Sequence, residues 1–229
     1  MAESKPKLKR KSPWRQVIVF SLPWILLLGG YYSLSSGVYG FQHFLIKGII
    51  HTGFLLISFS LLLGTLAKFF DRFDKYLHYR KQLGIVGFFY GSIHGVLAPI
   101  LDLIPTMPVA DRQLQGAFAG LIALALFYVC AYISSIPMIR KLGSARWRKT
   151  IRYTSYTAYT VAIVHIFLFS YPKWLAYGAS LSQGYWGLPP MSLFTFLLGV
   201  GVITWRFGVM WYDIIRIAQT KKSEAPSSE

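Results

Sequence analysis

Charge is scarce in this chain, and acid scarcer still. Only 14% of the 229 residues are charged, against about 25% in soluble domains, and just 8 are Asp or Glu. One core cannot cover an apolar remainder of 54%, so a water-soluble globular protein and a disordered chain are both excluded. The single cysteine, Cys130, excludes an internal disulfide scaffold. No Gly-rich loop stands between a strand-like and a helix-like run, which excludes a nucleotide-binding fold. No internal repeat is present.

What the chain has instead is six long apolar runs, at residues 16–33, 48–70, 83–104, 116–137, 153–174 and 191–215. Each approaches the roughly 20 residues that carry a helix across about 30 Å of hydrocarbon. None alternates as a barrel strand would. The expected fold is therefore all-α, a polytopic membrane protein with a six-transmembrane-helix bundle at 16–215. Residues 1–15 form a basic tail, and the long run after it reads as a retained signal anchor. Residues 216–229 read as a disordered polar tail.

The net charge of +16 has an explanation that needs no nucleic acid. With both termini cytoplasmic, 21 of the 24 Lys and Arg fall on the cytoplasmic side, leaving Lys47, Arg112 and Lys173 opposite. That is the positive-inside pattern of an integral, multi-pass protein in a lipid bilayer.

Chemistry in such a chain has to sit in or beside the bilayer, and the histidines are the candidates. His78 falls in a basic cytoplasmic loop, and His43 in an external one. His51 lies three residues into its apolar run, near the outer end. His94 and His165 are deep: 11 and 12 residues from the inner ends of their runs, or about 16 and 18 Å at the helical rise. Both runs cross in the same direction, so the two imidazoles share a level. Ionisable side chains at that depth are costly and mark function. On the same helix faces, toward the inside, His94 has Gly91 and Gly87, and His165 has Ala162 and Ala158. A cleared strip beside a deep imidazole suits a flat, bulky group such as a porphyrin, whose iron takes neutral imidazole. The alternatives are helix packing through Gly87, Gly91 and Gly95, and a proton or ion path. No carboxylate shares the depth of the pair, and no Cys-His cluster points to a bare metal ion.

Several motifs together carry a family resemblance. Tyr79-Arg80-Lys81-Gln82-Leu83-Gly84 is followed by Phe88-Phe89-Tyr90 and then by His94, ten residues after the glycine. Ser134-Ser135-Ile136-Pro137-Met138-Ile139-Arg140-Lys141-Leu142-Gly143 is followed by Arg146-Trp147-Arg148, and then by His165. His51-Thr52-Gly53 precedes both. Over about residues 40–175 this resembles the ferric reductase-like transmembrane domain family. The family's further histidine, at the inner start of the fifth helix, is absent: Ile151 and Arg152 stand there.

The resemblance implies one b-type haem held by His94 and His165, with His51 as a spare ligand or propionate contact. It implies a membrane oxidoreductase or electron conduit. A quinol, or a soluble flavoprotein that brings its flavin, would donate on the inside, docking near Arg148, Lys149 and Arg152. The acceptor would lie outside the cytoplasm. Two other readings stand beside it: a haem subunit feeding an extracytoplasmic reductase subunit, such as one for methionine sulfoxide, and a haem-free scaffold with the same fold.

Overall fold

The computed structural model describes residues 12–37, 40–102, 111–184 and 187–224. Six helices dominate: α1 (Pro13–Ser36), α2 (Phe41–Phe69), α3 (Arg80–Asp102), α4 (Asp111–Ile133), α5 (Ile136–Ser182) and α6 (Met191–Glu224). A 3-10 helix, Asp71–Tyr79, joins α2 to α3. No strand occurs among the described residues. The all-α, six-helix fold expected from the sequence is the one observed.

Composition and exposure say where the bundle lives. Four helical stretches (Pro13–Ser36, Phe41–Phe69, Leu114–Ile133 and Met191–Thr220) are long and apolar enough to cross a bilayer. Large apolar side chains stand outward along them: Leu26 is 61% exposed, Leu121 60% and Trp211 66%. Water would penalise that surface, whereas hydrocarbon accepts it. The protein is an integral, multi-pass membrane protein.

Helix ends depart from the apolar runs in instructive ways. α2 begins at Phe41, seven residues before its run, so His43 lies on a helix instead of in a loop. α5 begins at Ile136, so the basic segment around Arg140–Arg152 is helical too. It breaks once, at Gly143, whose φ of 71° and ψ of 157° a side chain would resist. Beyond the break, Trp147 donates its indole N–H to the carbonyl of Ile133, 3.0 Å away, and locks the turn between α4 and α5. α6 continues to Glu224, through the first part of the segment expected to be disordered. Ala218, Gln219 and the lysines after Thr220 are good helix formers, and nothing there stops the helix. Residues 1–11 of the basic tail, 103–104 of the third run and 225–229 of the polar tail lie outside the described residues.

α2 packs against α1, α3 and α6, while α4 pairs with α5. Glycines set the close approaches. A Cβ on Gly48 would lie 2.4 Å from the Ile25 carbonyl oxygen, and one on Gly87 would lie 2.6 Å from that of Gly53. Such backbone-to-backbone contacts bring helices together in a solvent that offers no hydrophobic drive between them. A central core of Phe54, Ile57 and Leu61 from α2, Tyr159 and Ile163 from α5, and Val202 from α6 fills the middle. Within it the Phe54 and Tyr159 rings stack at 5.0 Å. Ser58 Oγ donates to the Phe54 carbonyl, so the Tyr159 hydroxyl donates to Ser58 Oγ at 2.6 Å.

The family-like segment at the start of α3 is a clamp on its neighbours. Arg80 Nε donates to the Ser60 carbonyl at 3.1 Å, and Ser60 Oγ returns a bond to the Arg80 carbonyl at 2.7 Å. Tyr79 donates to the Gln16 side chain on α1. Tyr90 donates to Ser21 Oγ at 2.7 Å, the serine proton being committed to the Ile18 carbonyl.

Gly87→Leu is expected to destabilise the bundle by about 1–3 kcal/mol, the usual cost of overpacking a close contact. Gly91→Ala should change little, because its Cβ would sit 3.6 Å from Leu124 Cδ2, an ordinary contact. Thermal melts followed by circular dichroism in detergent check both.

Candidate functional site

Three histidines on three helices come to one level of the bundle. Gly53 lies against Gly87, Tyr90 and Gly91, which sets the register of α2 on α3. Phe54 lies on Tyr159, and both it and Ile163 crowd Gly199, which sets α5 and α6. His51, two residues before Gly53, lies against Thr195 of α6. It is ten residues inside α2, about 15 Å along the axis. His94 lies within electrostatic reach of both His51 and His165. Lys47, one turn from His51 on α2, acts on all three. α4 packs on both α3 and α5.

The hydrogen bonds decide which ring nitrogens are available. His165 Nδ1 is 2.7 Å from the Gly116 carbonyl of α4. A carbonyl only accepts, so Nδ1 carries the proton and Nε2 keeps its lone pair. His51 Nδ1 is 2.8 Å from Thr195 Oγ1 on α6. Thr195 donates its own proton to the Met191 carbonyl at 3.1 Å, so His51 Nδ1 is again the donor and Nε2 is again bare. His94 Nδ1 is buried with no hydrogen-bond partner. An orphaned imidazole nitrogen in such a place is costly unless something else occupies it. Two imidazoles are thus oriented through Nδ1, and a third has a buried nitrogen without a partner.

The other singled-out residues take varied places. Gly87 serves the α2–α3 contact. Gly91 faces Leu124 of α4 with room beside it. Ala158 is fully buried, and Ala162 packs on the central core. His78 is exposed in the 3-10 helix with its ring against Tyr79, 3.9 Å between centroids. Among the described residues no group of three His, Cys, Asp or Glu gathers around a point that could hold a bare metal ion. A groove of about 540 Å³ lined by Gly30, Ser33, Leu34, Phe41 and Phe44 opens between α1 and α2, away from the histidines.

Comparison with known proteins agrees with this architecture. A model of the ferric reductase like transmembrane component matches residues 48–151, taking in His51 and His94 and stopping short of His165. The protein-methionine-sulfoxide reductase heme-binding subunit MsrQ of Rhizobium meliloti (strain 1021) is 31% identical over 153 residues, which cover 64% of this chain and 67% of that protein. The chain belongs to the ferric reductase-like transmembrane family. The magnetosome protein MamZ of Magnetospirillum gryphiswaldense is 27% identical over 182 residues, covering 71% of this chain but only 26% of that protein.

For this ferric reductase-like protein, sequence reasoning missed the residues that orient the histidines. Gly120 lets His165 reach α4, since a Cβ there would lie 2.8 Å from the ring. Its i, i+4 spacing from Gly116 was a readable signal. Thr195 gave none, being one threonine in an apolar helix. Thr195→Val is expected to cost about 1–3 kcal/mol by stranding the His51 N–H, with Thr195→Ser restoring most of it. Chemical or thermal unfolding of the two variants measures the difference.

Proposed function

We propose that the protein is a haem-b electron carrier of the membrane, with His94 and His165 as the two axial ligands. One observation carries the reading: two deep imidazoles stand on helices that α4 bridges, one with its Nε2 left free by the Gly116 bond and the other with a buried nitrogen that has no partner. The similarity to a protein named as a heme-binding subunit supports the choice of group. When bound, haem supplies one-electron chemistry, with its potential tuned by axial ligands, burial and nearby charge.

The residues of the chain do the rest. The Gly116 carbonyl holds the His165 ring in one tautomer and one orientation. Gly91 leaves room beside Leu124 of α4, and Ala158 and Ala162 add no bulk on the face of α5 that carries His165. Lys47, whose charge reaches all three imidazoles, fits a propionate carboxylate. The central core of Phe54, Tyr159 and Ile163 excludes water below them. The charge distribution supports cytoplasmic termini, a quinol or soluble flavoprotein as donor on the basic side, and an acceptor or reductase subunit on the other.

A second reading is favoured by the bond from His51 to Thr195. His51 is dressed for ligation in the same way as His165, so it is the alternative partner to it. Single alanine variants separate the two. Purified His94→Ala and His165→Ala proteins are expected to lose the low-spin haem spectrum, while His78→Ala keeps it. His51→Ala should keep the low-spin bands with a shifted potential; their loss there, with retention in His94→Ala, assigns the ligand to His51. An unchanged low-spin spectrum in the His94→Ala, His165→Ala double variant contradicts the assignment, and no haem in the intact protein leaves the scaffold reading.

A further inference from the structure

At the basic end of the bundle, guanidinium groups from two helices converge on a single turn of α2. Arg206 of α6 donates through Nη1 to Thr65 and through Nη2 to Tyr156, and its plane lies 5.1 Å from the Tyr156 ring. Its Nε is buried and has no partner. Arg80 of α3 lies over Gly64, the residue next to Thr65, so close that a Cβ on Gly64 would sit 2.7 Å from Arg80 Nη1. Arg152 of α5 is one turn before Tyr156, the residue that Arg206 bonds, and so shares that face of the helix.

Among the described residues no carboxylate forms an ion pair with Arg80 or Arg206. Among the described residues the one ion pair is Lys68–Asp213, so the acid two turns beyond Arg206 is already taken. Asp71 and Asp74, on the 3-10 helix, pair with nothing. Two guanidiniums held on one turn at a membrane boundary, one with an unmet buried N–H, are unfavourable unless an anion completes them. Guanidinium forks match the oxygens of a phosphate, and hydroxyls such as those of Thr65 and Tyr156 can add to the same shell.

We propose that Arg80, Arg152 and Arg206 form a binding site for a phosphate group, carried either by an anionic lipid of the adjacent leaflet or by a soluble ligand. The site lies at the opposite end of the helices from the histidines and does not depend on haem. Its effect is to tie the ends of α2, α3, α5 and α6 together through one anion.

The test uses the full chain in dodecyl maltoside, a detergent without phosphate, with phosphatidylglycerol or inorganic phosphate titrated at constant ionic strength. Saturable stabilisation against heat is expected. Stabilisation by phosphatidylglycerol alone identifies a lipid source, and stabilisation by inorganic phosphate a soluble one. Arg206→Gln should weaken the apparent affinity roughly tenfold or more, as loss of a charge-assisted bond does. Arg152→Gln, at an exposed side chain that folding does not need, should weaken it as well, while Arg146→Gln on the same helix should leave it unchanged. Absence of saturable stabilisation by either probe, or an affinity unaltered in Arg206→Gln and Arg152→Gln, overturns the proposal.

Discussion

The contact between Gly53 of α2 and Gly87 of α3 governs much of what surrounds it. With no side chain on either residue, the two backbones approach until a Cβ on one would be 2.6–3.0 Å from the carbonyl of the other. That approach fixes the register of α2 on α3, and with it the level of His51 beside His94. The same helix carries Phe54 into the central core, where Tyr159 and Ile163 set the level of His165. Spread the two helices by the width of a methyl group and all three imidazoles lose their common plane of reference. In a bilayer, where apolar surface gains nothing by leaving lipid, small residues of this kind are what the packing rests on.

Once the level is set, hydrogen bonding determines the chemistry. Each deep imidazole brings two nitrogens, and hydrocarbon offers neither a partner. The bundle satisfies Nδ1 of His165 with a backbone carbonyl and Nδ1 of His51 with a threonine whose proton is already spent. Both arrangements leave Nε2 as a bare lone pair. His94 has no such support, and its buried nitrogen is a stored cost. A bundle that packed these helices for stability alone would gain by placing an apolar residue at His94.

Much of this was legible from residue order. Hydropathy and the 21-to-3 division of cations announced six helices, because lipid leaves the chain few other options. That His94 and His165 stand on helices followed from the same apolar runs. The helix of His51 begins seven residues before its apolar run, because Phe41 to Lys47 contains polar residues that a helix tolerates at the interface. The basic segment after Ser135 looked like a loop for the same reason, although Gly143 marked where the helix must break. Which face of Gly87 met a neighbour was hidden, since a small residue fits a cofactor or a helix equally well. Thr195 and Arg206 could not be tied to His51 and Tyr156 without the three-dimensional register, being 144 and 50 residues away in the chain.

The central claim is that two deep imidazoles of this chain share one haem iron. Near-infrared magnetic circular dichroism of the oxidised, purified protein, read with the haem content per chain, tests it most directly. The account predicts one low-spin haem per chain, with the charge-transfer band of two nitrogen ligands. A high-spin haem, a band from a ligand other than imidazole, or a folded protein that binds no haem when haem is supplied would contradict it.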